Sequence, residues 1–190
     1  MSELNTVTKP KFDVKQLTLT GLMTAVICIL GPLALSIPIS PVKISLCTMA
    51  IYFVVSVLGM KLGTLSVIIY ILLGLAGVPV FSGFTAGASV LFGSSGGYII
   101  GYIFMALICG FFVDRWGNKT VVCFLGMILG TAALYLFGTF WLAYQMSLTF
   151  PQALSAGVIP FIPGDLIKLV IALLIGLQVR KRLTKLRLSA

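Results

Sequence analysis

Two long stretches without a charged side chain constrain this chain more than any other feature. Residues 62–113 and 120–164 contain no Asp, Glu, Lys or Arg. About 20 apolar residues are enough for a helix to cross the hydrocarbon core of a bilayer, so each stretch has room for two crossings. Only 9% of the whole chain is charged, against roughly 25% in a soluble domain. These patterns exclude a water-soluble globular domain and predict an integral membrane protein.

The apolar segments divide into six predicted transmembrane helices, and no segment alternates apolar and polar residues as barrel strands do. The predicted spans are residues 17–37, 44–60, 62–79, 96–113, 119–143 and 164–180. Helices satisfy their own backbone hydrogen bonds in lipid, so we predict an all-α membrane protein. Its transmembrane domain covers residues 17–180, and the second and third spans are divided at the short segment 59–63.

Basic residues predict the orientation of these spans. With both termini in the cytoplasm, eleven of the 13 Lys and Arg residues lie on that side. Lys43 alone lies outside, and Lys168 lies within the last span. Such an imbalance is the usual positive-inside signal, and it assigns the net charge of +9 to topology rather than to nucleic-acid binding. Residues 1–16 and 181–190 are therefore predicted to be cytoplasmic tails.

Several kinds of chemistry are disfavoured by what the sequence lacks. There is no histidine, which removes the commonest general base and metal ligand. The sequence holds no phosphate-binding Gly-x-x-x-x-Gly-Lys motif, so the chain cannot by itself drive transport with ATP. An intramembrane hydrolase would depend on Lys168 as its base, and no serine lies beside it in sequence. We therefore predict no enzymatic activity, no metal site and no cofactor.

Asp165 and Lys168 form the only acid–base pair inside an apolar span. Residues three apart share one helix face, and ionisable groups in membrane helices usually face a cavity or a protein interior. One interpretation is that the pair lines a cavity that opens to the outside and binds a small polar solute. The other is that Asp165 caps the helix and Lys168 is its partner.

Three connections are predicted to lie outside: residues 37–43, 80–95 and 148–163. The second is long, uncharged and rich in Gly and Phe, so it is either a lid over a binding site or a re-entrant or flexible loop. The third is predicted to lie at the membrane surface, with a short helix within 148–160. Tyr98 and Gln145 fall near this side and could either bind a ligand or anchor the interface.

Small residues four apart occur on three predicted spans and allow close helix approach. Such pairs either pack the monomer or contact a partner protein. They are Gly21 and Ala25, Gly97 and Gly101, and Gly126 and Gly130.

Five sequence segments, taken in order, resemble the BioY family, the biotin-binding S components of energy-coupling factor (ECF) transporters. The segments are PVKISLCT (41–48), GLAGVPVF (74–81), SGFT (82–85), FGSSGGYIIG (92–101) and IPFIPGDLIK (159–168). The resemblance extends from about residue 38 to 178. It implies a six-helix bundle in the plasma membrane of a bacterium, with an outward pocket closed by the external loops. It also implies a separate transmembrane coupling subunit and two cytoplasmic ATPases as partners. The alternative is a self-sufficient small-solute transporter or channel that acts as an oligomer.

The resemblance also implies roles for individual residues. Asp165 and Lys168 would contact biotin, because the ureido ring offers N–H donors to a carboxylate and the valerate carboxylate suits an ammonium. Both could instead contact one end of biotin while other groups hold the tail. Further predicted pocket residues are Phe84, Thr85, Tyr98 and Gln145. Gly21 and Ala25 would meet the coupling subunit, and biotin is a transported ligand rather than a cofactor.

Two departures from the family pattern bear on the pocket. The loop that is richer in glycine in the family is here residues 85–89, TAGAS, so it is predicted to close differently. Cys47 stands where a Gln is common in the family, so no ligand role is assigned to it.

Overall fold

The computed structural model describes residues 14–36 and 41–185. Within these ranges the chain forms seven helices and one pair of short strands. The elements are α1 (Val14–Leu30), β1 (Ala34–Leu35), β2 (Ile44–Ser45), α2 (Cys47–Leu75), α3 (Ala88–Leu91), α4 (Gly96–Trp116), α5 (Thr120–Met146), α6 (Phe150–Gly157) and α7 (Ile162–Lys185). Most of the predicted N-terminal tail, half of the C-terminal tail and residues 37–40 of the first external connection lie outside the described residues.

Four of the described helices are long and apolar enough to cross a membrane, namely α2, α4, α5 and α7. α1 is apolar but shorter, at 17 residues. The predicted helical membrane architecture is therefore confirmed. The all-α prediction misses only the two-residue strands β1 and β2, which pair antiparallel where the chain turns between α1 and α2.

α2 reverses its direction at Gly59, where φ is 80° and ψ is −166°. The Sγ of Cys47 lies 3.5 Å from the hydroxyl of Tyr70, whereas a straight helix would separate residues 23 apart by about 34 Å. A Cβ on Gly63 would lie 3.1 Å from the Cα of Val55. The halves 47–58 and 60–75 therefore run antiparallel, and the reversal falls at the boundary of the predicted segment 59–63.

α2 forms the centre of the bundle, and α1, α4 and α7 pack against it. In its most apolar window 72% of the residues are buried, compared with 33% in α5 and in α7. The outer faces of α5 and α7 expose large apolar side chains such as Phe140 and Ile167. Such faces suit contact with lipid tails, which are as apolar as the side chains themselves.

Two of the three small-residue pairs pack the chain against itself, between α4 and α5. A Cβ at any of the four glycines would meet an atom of the facing helix closer than real Cβ contacts allow. The contacts are Gly97 with Trp141, Gly101 with Leu134, Gly126 with Phe112 and Gly130 with Cys109. By contrast, Gly21 and Ala25 lie exposed on α1, and a Cβ on Gly21 would meet nothing within 4 Å.

The connections predicted to lie outside gather at one end of the bundle. The predicted short helix within 148–160 is confirmed as α6, where the backbone N–H of Thr149 donates to Oε1 of Gln152 at 3.0 Å. The connection 80–95 contains α3 and an isolated bridge between Phe81 and Thr85. Residues of β2, of the connection 80–95 and of the end of α6 line a cavity.

Candidate ligand-binding cavity

A cavity of about 250 Å³ lies at this end of the bundle, among residues of α2, α4, α5, α7 and the connecting loops. This volume falls just below the range of about 300–1,000 Å³ typical of sites for drug-sized ligands, so the cavity suits a compact solute. Its polar lining includes one acid, two lysines and several hydroxyl groups. They are Asp165, Lys43, Lys168, Ser45, Thr48, Tyr98, Tyr102 and Tyr135, among others.

Asp165 lines this cavity and connects three helices, because its carboxylate bonds to side chains of α2, α5 and α7. It is only 5% exposed. Its Oδ1 accepts hydrogen bonds from Oγ1 of Thr48 at 3.2 Å and from Nζ of Lys168 at 2.9 Å, and its Oδ2 accepts one from the hydroxyl of Tyr135 at 2.8 Å. A buried carboxylate is tolerated only when it is paired and hydrogen-bonded, and these three donors meet that condition. Its two oxygens have about four acceptor sites, so one site remains for a further donor.

Lys168 is held in place by two acceptors. Its Nζ donates to Oδ1 of Asp165 and, at 2.8 Å, to the backbone carbonyl of Ser45. Ser45 is itself fixed, because its Oγ donates to the carbonyl of Gly31 at 2.8 Å and accepts from the backbone N–H of Cys47 at 2.9 Å. An ammonium carries three N–H groups, so one N–H of Lys168 has no acceptor among the described residues.

The geometry distinguishes between the two interpretations of the Asp165–Lys168 pair. Asp165 lies in the first turn of α7 and its ion pair with Lys168 spans i to i+3, as the spacing predicts. Among the described residues, however, the Asp165 carboxylate bonds to side chains from α2, α5 and α7, and not to the free N–H groups of its own helix. The pair is therefore a tertiary junction at a cavity rather than a helix cap.

Aromatic side chains form much of the remaining wall. The hydroxyl of Tyr98 donates to the carbonyl of Gly157 at 2.8 Å and so ties α4 to the end of α6. The hydroxyl of Tyr70 donates to the carbonyl of Val80 at 3.2 Å, and its ring meets Phe81 edge-on with centroids 5.7 Å apart. These bonds orient rigid apolar surfaces toward the cavity and attach the external loops to the helices.

The predicted pocket residues do not all lie on this wall. Thr85 and Tyr98 line the cavity with Asp165 and Lys168. Phe84 does not: it has a φ of 59° and its side chain is 66% exposed. Gln145 lies exposed near the end of α5, also away from the cavity lining.

Sequence reasoning missed several polar residues that the fold brings to the site, among them Lys43, Ser45, Thr48 and Tyr135. Tyr135 and Thr48 are polar groups within apolar spans, and this signal could have marked them as candidates. Lys43 was noted only as the single basic residue on the outer side. A Cβ on Gly83 would meet its Nζ, so this ammonium lies against the loop that follows α2.

A family model described as the BioY family matches residues 5–185. The biotin transporter BioY of Thermotoga maritima is 38% identical over 168 residues, which cover 88% of this chain and 96% of that protein. The biotin transporter BioY2 of Lactococcus lactis subsp. cremoris is 34% identical over 168 residues, with coverages of 88% and 91%.

A solved structure has the same fold. The crystal structure of the S-component for biotin from an ECF-type ABC transporter superposes with a TM-score of 0.83 at 35% sequence identity. The match covers 88% of this chain and 92% of that one.

Proposed function

The chain belongs to the BioY family, and from this premise we propose that the cavity above Asp165 and Lys168 is the site at which it captures biotin. The chain acts in biotin uptake as an S component, so it is a transporter subunit and not an enzyme. Biotin is its transported substrate rather than a cofactor. The observation that supports the site is the Asp165–Lys168 pair, which lines a compact cavity and keeps one acceptor position and one N–H donor that the described residues leave unused.

Asp165 and Lys168 bind the same end of biotin in this proposal. Their interacting atoms are only 2.9 Å apart, so a single small group must satisfy both. The ureido ring fits, because its N–H can donate to Asp165 while its carbonyl accepts from Lys168. A biotin carboxylate at this position would instead lie next to the Asp165 carboxylate, and like charges in contact repel. The simpler pairing, with one residue for each end of biotin, is therefore disfavoured.

Lys43 receives the valerate carboxylate in the same proposal. It lines the cavity and is half-buried. Among the described residues the two ion pairs are Lys168 with Asp165 and Arg180 with Asp114, so the Lys43 ammonium has no carboxylate partner there. A ligand carboxylate would supply one through a charge-assisted hydrogen bond. The aromatic wall of Tyr70 and Phe81 would then cover the apolar middle of biotin.

The cavity opens to the outside in the proposed topology. Six spans result when the two halves of α2 are counted separately, and both termini then lie in the cytoplasm. The reversal at Gly59 and the distribution of Lys and Arg support this arrangement. The cavity mouth is surrounded by residues 41–45, 81–95 and 157–161, which belong to the connections on the outer side.

Partner proteins supply the energy in this proposal. The exposed Gly21 and Ala25 on α1 form a flat face for the transmembrane coupling subunit, which in turn recruits two cytoplasmic ATPases at the bacterial plasma membrane. Small residues on an exposed helix face allow another helix to approach closely. The same spacing in α4 and α5 is already used within the chain, so α1 is the better candidate for a partner.

Calorimetric titration of the detergent-purified chain with biotin tests the proposed site. We expect one-to-one binding of biotin and none of thiamine or riboflavin. Biotin amide, which lacks the negative charge, should bind at least tenfold more weakly, equivalent to about 1.4 kcal/mol. Equal binding of biotin and its amide would exclude the Lys43 contact. Biotin uptake into liposomes by this chain alone would support the alternative of a self-sufficient transporter.

A further inference from the structure

A second depression, here called the basic pocket, lies at the opposite end of the bundle from the biotin cavity. It has a volume of about 780 Å³ and is formed by the turn between α4 and α5 and the last turns of α7. Its charged lining comprises five cations and one acid: Arg115, Lys119, Arg180, Lys181, Lys185 and Asp114. Such an excess of positive charge attracts an anion.

Arg180 contributes a hydrogen-bond donor that the described part of the chain leaves unmatched. Its Nη2 donates to Oδ1 of Asp114 at 2.8 Å, while Oδ2 of Asp114 accepts the backbone N–H of Met60 at 2.8 Å. Its Nη1 is buried, yet it has no hydrogen-bond partner among the described residues. Buried donors normally have acceptors, but Nη1 is shielded from solvent, so a ligand in the basic pocket would meet the positive charge of Arg180 and not this N–H.

An apolar groove leads from the flank of the bundle toward the basic pocket. It has a volume of about 190 Å³ and lies between α5 and α7, lined by Thr120, Val121, Phe124, Val170, Leu173 and Leu174. Thr120 directly follows Lys119, and Leu173 and Leu174 lie one helical turn from Leu177. Lys119 and Leu177 both line the basic pocket, so the two depressions adjoin.

We propose that the basic pocket and the groove together bind one anionic phospholipid, with its phosphate in the pocket and part of an acyl chain in the groove. The lysines and Arg115 supply charge-assisted donors to phosphate oxygens, and basic pockets between membrane helices are suited to acidic headgroups. The apolar groove favours a lipid over a soluble anion, because a soluble phosphate has no acyl chain to occupy it. This site lies outside the biotin cavity and does not depend on how biotin is bound.

Fluorescence of Trp116 reports directly on the site, because this residue lines the basic pocket. The chain has two tryptophans, so Trp141→Phe leaves Trp116 as the only one. Phosphatidylglycerol with brominated acyl chains should quench Trp116 at an at least fivefold lower mole fraction in detergent micelles than brominated phosphatidylcholine. Equal quenching by the two lipids would overturn the proposal.

A second measurement keeps the test independent of the Trp141 substitution, which removes a hydrogen bond to Gly93. Phosphatidylglycerol should raise the thermal unfolding midpoint of the unmodified chain, while inorganic phosphate and glycerol phosphate at the same concentration should not. Full stabilisation by the soluble phosphates would make the pocket a soluble-anion site. Stabilisation by an acidic peptide but not by the lipid would assign it to a protein partner. Either result overturns the lipid proposal.

A matched pair of double variants tests the residues themselves. Lys119→Gln with Lys181→Gln removes two charges from the basic pocket, and neither side chain makes a hydrogen bond to another described residue. Lys15→Gln with Lys61→Gln removes two exposed charges outside the pocket. The first pair should weaken phosphatidylglycerol binding at least fivefold and the second less than twofold. Equal losses would indicate diffuse surface charge and contradict a defined site. Biotin affinity should be unchanged in both.

Discussion

The Nζ of Lys168 lies 2.9 Å from Oδ1 of Asp165, and the same carboxylate accepts a hydrogen bond from the hydroxyl of Tyr135 on another helix. One acidic group therefore positions the Lys168 ammonium and joins α5 to α7. The two roles share one carboxylate. Substitutions of Lys168 or Asp165 should therefore change biotin binding, whereas substitution of Tyr135 should change stability.

Lys168→Ala should weaken biotin binding at least tenfold, or about 1.4 kcal/mol, because it removes the N–H that is proposed to contact biotin. Asp165→Asn should have a similar effect, because Lys168 loses the charge that holds it in place. Titration calorimetry measures both. Lys61→Ala is the control, since Lys61 is exposed and does not line the cavity. Wild-type affinity in the Lys168 and Asp165 variants would remove the pair from the site.

Tyr135→Phe should lower stability, because it deletes one donor to a buried carboxylate while keeping the ring. A hydrogen bond to a charged group contributes about 1.5–3 kcal/mol, so the thermal unfolding midpoint should fall. Tyr144→Phe on the same helix is the control, since Tyr144 is 83% exposed. Identical unfolding midpoints for the two variants would show that the hydrogen bond from Tyr135 to Asp165 makes no measurable contribution to stability.

Lys43→Gln should weaken binding of biotin but leave binding of biotin amide nearly unchanged, because only biotin carries the carboxylate that the ammonium is proposed to meet. The four affinities form a double-mutant cycle, and its coupling should correspond to at least a tenfold effect, about 1.4 kcal/mol. Parallel weakening of both ligands would indicate that Lys43 shapes the loop rather than binding the carboxylate.

Gly21→Leu should leave biotin affinity intact and abolish co-purification with the coupling subunit. Nothing within 4 Å would clash with the new side chain inside the chain, so its effect should fall on a partner. Ala132→Leu is the control, because Ala132 is an exposed small residue on α5, a helix that packs on α4, α6 and α7 rather than on α1. Undiminished assembly of the Gly21 variant would exclude this face of α1.

Gly59→Ala should destabilise the chain more than Gly77→Ala does. Both glycines have positive φ, at 80° and 101°, which strains any residue with a Cβ. A Cβ on Gly59 would in addition meet the carboxylate of Asp114, whereas one on Gly77 meets nothing within 4 Å. The difference between the two unfolding midpoints therefore reports the contact with Asp114 together with any difference in backbone strain between the two positions. Equal midpoints would show that the chain relaxes around the Cβ added at Gly59.

The architecture could be predicted from local sequence, because it depends on short-range properties. Charge-free stretches mark where helices must satisfy their backbone in lipid, and the segment 59–63 marked the place where α2 reverses. The pairing of Asp165 with Lys168 also follows from the sequence, since residues three apart on a helix are always neighbours.

The composition of the site was decided by packing between distant segments. Thr48 meets Asp165 across 117 positions of the chain and Tyr135 does so across 30, and no local periodicity encodes either contact. Packing also places two predicted residues away from the cavity lining: Phe84 has a positive φ and is largely exposed, and Gln145 is exposed near the end of α5. Helix spacing thus determined which residues share a face, whereas the close approach of α2, α5 and α7 decided which faces meet around the cavity.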